Sequence, residues 1–138
     1  FLDLCKSFAK NVVGEETRKD EIDFVNHSMR FVEGNQEISV DDFSDTLFSD
    51  EETKGEFKDY KKAFEAEFEL EMSDSFQVSE LVLEKQKRTI KNAIQLDTNI
   101  QLRFNFHDPD SMGKFVERGY DEQKGMHYYK VFYNEELK

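Results

Sequence analysis

The chain has 138 residues, 31 Asp and Glu against 19 Lys and Arg, and a formal net charge of −12. That length suits one domain with a substantial core, and 14 Phe with 5 Tyr supply aromatic volume for it. No apolar run approaches the roughly 18–20 residues of a membrane span, no signal-peptide pattern is visible, and the lone Cys5 excludes an internal disulfide and favours a reducing compartment.

The first half reads as helical. Phe1, Leu4, Cys5, Phe8 and Val12 form a helical stripe that ends near Gly14. Thr17, with Asp20 three residues on, caps a second helix whose apolar face is Ile22, Val25, Met29 and Val32 and whose stop is Gly34. Ile38 sits just outside a third helix capped by Ser39, with Phe43 and Leu47 as its buried positions. Ser49 with Glu52 repeats the capping pattern and opens a fourth helix bearing Phe57, Tyr60, Phe64 and Phe68. Gly55 weakens that helix by about 1 kcal/mol relative to Ala without breaking it. A Phe stripe at this spacing is core rather than a ligand pocket.

The second half changes period. Ser79 caps a short helix through about Lys87, although Val78, Leu81 and Leu83 also permit an extended chain. Ile90, Ile94 and Leu96 then alternate with polar neighbours up to Asp97-Thr98-Asn99, and Ile100, Leu102, Phe104 and Phe106 alternate on the way back. Alternation on both sides of an Asp/Asn turn is a half-buried antiparallel pair, because successive strand side chains point to opposite faces. Asp108-Pro109 breaks the structure. Lys114–Tyr120 and Met126–Tyr133 form a second strand pair. His127, Tyr129, Val131 and Tyr133 share one face of the last strand, and Met126, Tyr128 and Phe132 the other. The expectation is one α+β domain over 1–138, with an acidic helical part (1–78) and a β-rich part (79–138). Four N-terminal helices pack against a C-terminal antiparallel sheet of about four strands. The start at Phe1 points to the C-terminal fragment of a longer protein.

Charge is unevenly spread. Residues 1–84 carry 9 Lys/Arg against 23 Asp/Glu, a net −14, while residues 85–138 carry 10 against 8, a net +2. The one concentrated basic run is Lys85, Lys87, Arg88 and Lys91. Neutralising phosphates with Lys and Arg supplies most non-specific DNA affinity, so any DNA contact belongs to the 85–138 side. The bland alternative is a helix end with cations near its negative pole.

Catalytic patterns are absent. His27, His107 and His127 fall in three different elements with no paired cysteine or metal-ligand spacing. Asp108–Gly113 imitates the start of an EF-hand loop, but Met112 takes a ligand position and Gly119 stands where the bidentate Glu belongs. No phosphate-cradling Gly-rich loop or nucleophile elbow occurs. The expectation is a non-enzymatic protein without metal or cofactor.

The stretch Gln95-Leu96-Asp97-Thr98-Asn99-Ile100-Gln101-Leu102-Arg103-Phe104 resembles a hairpin of the bacterial 37-kDa nucleoid-associated protein family, where a basic segment runs into a "kLDtgI-x-I-x-F" motif. The helix opening at Phe1-Leu2, the Ile38–Phe43 helix entry and the closing strand Tyr128–Asn134 are similar to the family's C-terminal portion. Two departures stand out: Asn99 occupies the turn position where Gly is expected, and the chain is more acidic than a DNA binder should be. The resemblance implies a protein of the bacterial cytoplasm and nucleoid that binds double-stranded DNA without sequence preference. Lys85, Lys87, Arg88 and Lys91 would contact phosphates, joined by Arg103 and Lys114. The alternative is an acidic interaction or oligomerisation module with no direct DNA contact, whose protein partner or second copy would meet Tyr128, Tyr129 and Tyr133, since aromatics are enriched at interface cores.

Overall fold

Capping chemistry sets most of the helix starts. In this computed structural model, which describes residues 1–15, 17–90, 92–105 and 110–137, the Thr17 hydroxyl accepts from the Asp20 N–H at 3.1 Å and opens α2 (Arg18–Glu33). Ser39 does the same from Asp42 at 3.3 Å for α3 (Val40–Leu47), and Ser79 from Val82 at 3.4 Å for α5 (Glu80–Arg88). For α4 (Glu51–Glu67) the cap is Asp50, not the expected Ser49. The Asp50 carboxylate takes both the Thr53 hydroxyl at 2.8 Å and the Thr53 N–H at 2.9 Å, and these bonds hold its pKa below the usual value. A carboxylate also meets the positive end of the helix dipole, which a serine hydroxyl cannot do as well.

The first helix, α1 (Leu2–Phe8), continues into a wider π-helical turn over Ala9–Val13, closed by Gly14 N–H donating to Ala9 at 2.7 Å. Gly14 is required there by close approach. A Cβ at this position would stand 2.5 Å from the Glu21 Cβ, so only glycine lets α2 fold back this tightly.

The helices bury one aromatic-rich core. Phe8, Phe43 and Phe57 are fully buried and meet Phe24 and Phe48, with ring centroids 5.1–6.5 Å apart in mostly edge-to-face and tilted pairs. Each such side chain contributes about 2–3 kcal/mol of burial. The α4 stripe is core only at its start: Phe57 is buried, Tyr60 and Phe64 are half-buried, and Phe68 is 55% exposed. Ile38 is fully buried as well, within strand β1 (Glu37–Ser39), which pairs with β2 (Ser75–Gln77) through Ile38 opposite Phe76.

The fold is α+β, but the single sheet of about four strands is not formed. The described strands make three separate antiparallel pairs: β1–β2, β3 (Ala93–Gln95) with β4 (Gln101–Arg103), and β5 (Val116–Asp121) with β6 (Met126–Val131). The helix α6 (Ser111–Phe115) occupies the start of the expected Lys114–Tyr120 strand and separates the last two pairs in the chain. The motif hairpin forms, with Leu96 N–H donating to Ile100 at 2.8 Å, but it is shorter than the alternation suggests. Ile90 N–H bonds back to Lys87 at the end of α5 instead of joining β3, and Phe106 lies outside the described residues. Asn99 has φ 64°, the left-handed conformation that glycine adopts most readily and that Asn tolerates best among the other residues. A smaller second core, Ile94, Phe104, Met112 and Val116, forms beneath these pairs, and Ile22 of α2 joins it to the helical part.

Candidate nucleic-acid interface

Helix α5 carries the basic run. Leu83 anchors it in the aromatic core, while Lys85, Lys87 and Arg88 are exposed in its last turns. Cations at a helix C-terminus lie where the dipole is negative. Lys87 is engaged locally, paired with Glu33 at the end of α2 and with Glu84 at 3.5 Å. Among the described residues, Lys85 and Arg88 have no ion-pair partner and point their charge at solvent. Lys91 lies outside the described residues, as do His107 and the Asp108-Pro109 break. Arg103 is exposed on β4, its guanidinium donating to Gln101 at 3.3 Å, and Lys114 is exposed on α6. These two belong to elements around the second core rather than to α5.

Three cations from the first helices join this surface, and sequence reading missed them. The Lys6 ammonium on α1 reaches across to α5, donating to the side chains of Gln86 and Thr89 and to the Gln86 carbonyl at 3.4 Å. Asp3 accepts from the Gln86 amide at 3.1 Å, so α1 grips the end of α5 at two points. Arg18 donates to the Ala93 carbonyl at 3.3 Å and pairs with Glu21 at 2.5 Å. Lys6, Lys10 and Arg18 thus line a groove with Thr89, Ile90 and Asn92, directly beside the basic end of α5. No signal local to Lys6 or Arg18 could have placed them there, since the groups that bring them to this side, Gln86, Thr89 and the Ala93 carbonyl, lie 75 or more residues away.

The other titratable groups are structural. The His27 ring bonds the Asp23 carbonyl at 2.8 Å and the Asp110 carboxylate at 3.1 Å, tying α2 to the start of α6. Partial burial disfavours its charge, but these two partners outweigh that and raise its pKa. Burial raises Asp23 as well. Burial pushes the Cys5 thiol up to about 12, which leaves it unreactive. Among the described residues, no group of three or more His, Cys, Asp and Glu could hold a metal ion, and no helix is long and apolar enough to cross a membrane.

The hairpin aromatics differ in burial. Tyr129 is half-buried against the second core, whereas Tyr128 is exposed and covers Gly119, and Tyr133 is 67% exposed. With the basic surface and the hairpin in view, the sequence model of the family described as nucleoid-associated protein YejK matches residues 1–125. The chain belongs to this family. The matched span covers α1 through β5, and so includes every cation of the α5 surface. No curated protein and no solved structure gave a significant match.

Proposed function

We propose that this chain is a non-enzymatic DNA-associating part of a bacterial nucleoid protein, contacting the phosphates of duplex DNA without reading sequence. The observation that carries this reading is the open charge of Lys85 and Arg88 beside the groove of Lys6, Lys10 and Arg18, on a molecule whose helical part is strongly acidic. Family membership supports it. An exposed helix end with neighbouring lysines supplies phosphate contacts, which position a protein on DNA and carry no base information. Lys91, Arg103 and Lys114 stay in this proposal as further candidate phosphate contacts, Arg103 and Lys114 from the elements around the second core, while Lys87 is committed to Glu33 and contributes least. The acidic remainder keeps affinity low and confines contact to this side.

The test is fluorescence anisotropy with a random-sequence duplex across a salt series. The chain should bind weakly at low salt, and Lys85→Glu with Arg88→Glu should lower the slope of log affinity against log salt by about 2, roughly one per lost phosphate contact. An unchanged slope would remove α5 from the mechanism. A second reading, an interaction module acting through Tyr128, Tyr129 and Tyr133, is favoured by the exposed aromatic hairpin and is developed below.

A further inference from the structure

The β5–β6 hairpin is long, carries exposed apolar side chains among its charges and is nearly uncovered. Val116 and Tyr129 seat its base on the second core, but Tyr120, Met126, Tyr128 and Val131 are all exposed, with Phe132 and Tyr133 just beyond. Among the described residues, β5 and β6 pair only with each other. A two-stranded ribbon is marginal in water unless a third strand or a packed face supports it. An unprotected apolar edge is also a template for pairing with another chain.

Charge identifies the occupant. Arg118, Lys124 and Lys130 balance Glu117, Asp121 and Glu122, so the hairpin is neutral while the whole chain stands at −12. A basic protein or peptide would be drawn to the acidic helices, and a nucleic acid to the cations of α5. The neutral hairpin is a surface on which a second, equally acidic copy adds no like-charge contact of its own.

The hydrogen-bond phase selects the edge and the register. Phe132 N–H donates to Phe115 at 2.8 Å, so by alternation Lys130, Tyr128 and Met126 turn their backbone groups toward β5, while His127, Tyr129 and Val131 turn theirs outward. We infer that the outer edge of β6 pairs antiparallel with the same edge of a second copy, about a two-fold axis at Tyr129. That register sets His127 opposite Val131, Tyr128 opposite Lys130 and Met126 opposite Phe132. No like charges face each other, and the Lys130 ammonium, already 5.6 Å from the centre of its own Tyr128 ring, gains a second ring to face. The contact is isologous and closes as a dimer rather than growing into a fibre. Two hairpins become one four-stranded sheet. This inference does not depend on the DNA reading.

Sedimentation equilibrium of the chain over a wide concentration range provides the test, with thermal melts by circular dichroism as the folding control. The wild-type chain should show a concentration-dependent dimer. Val131→Pro removes an outward N–H and leaves the β5 ladder intact, so it should raise the dimer dissociation constant roughly thirtyfold through two lost bonds. Met126→Lys should weaken the dimer without touching the backbone, and it decides the matter if the proline variant melts early. A chain that sediments as a monomer throughout would overturn the proposal. So would a dimer that the folded variants leave unaltered, because the copies would then meet elsewhere.

Discussion

The two cores of this molecule are built to different standards. The first gathers Phe8, Phe24, Phe43 and Phe57 from four helices and Phe48 from the end of α3, and leaves three of these rings fully buried. The second rests on Ile22, Ile94, Phe104, Met112 and Val116, beneath strand pairs that are otherwise exposed. Aromatic interlock among helices makes a unit that stands without help, whereas short ribbons over a thin apolar floor depend on their neighbours. The contrast places rigidity in the acidic half and available surface in the other.

The comparison breaks most visibly in stability measurements. Phe43→Ala empties the centre of the aromatic cluster and should cost about 3–5 kcal/mol, whereas Met112→Ala in the second core should cost nearer 2 kcal/mol, both read from urea denaturation. Equal losses would mean that the two cores melt as one unit of uniform strength. A smaller effect sharpens the boundary. Ser79→Ala removes the α5 cap and should cost about 1 kcal/mol. Because Leu83 anchors α5 in the first core, hydrogen exchange should accelerate along α5 while the β5–β6 amides keep their wild-type rates.

The smallest effect concerns the tie between the two regions. His27 has a raised folded pKa, so its stabilising contribution is full below the ordinary 6.5 and is lost as pH rises through the folded value. Asp23, also raised, acts in the same sense as pH rises above its ordinary 3.8. Asp110→Asn removes the carboxylate facing His27 on α6. The fall in melting temperature between slightly acidic and slightly alkaline pH should therefore be shallower in the variant than in the wild type. Parallel pH profiles would show that this contact couples nothing.

How much of this was legible from residues alone follows the distance over which each signal acts. Thr17, Ser39 and Ser79 were readable as caps because the bond closes within three residues. The hairpin at Leu96–Ile100 was readable because its turn lies between its own strands. Alternation announces a strand and is silent about its partner, so the separate β3–β4 and β5–β6 ladders were expected as one sheet. The pairing of Ile38 with Phe76 joins two three-residue strands too short to announce themselves. The basic run on α5 was visible, but its enlargement by Lys6 and Arg18 depends on helix packing that no local pattern encodes.

The crossing of Lys6 to Gln86 and Thr89 has a kinetic consequence. A contact separated by about eighty residues carries a high loop-closure cost and forms only after intervening elements have condensed. The helical caps and the motif hairpin are local and can precede it. A refolding chain would then regain its helicity before its cations are gathered, and during synthesis the acidic helices leave the ribosome ahead of α5. The gathering of Lys6 beside the cations of α5 is, on this ordering, completed at the end of folding, once the acidic body is already compact.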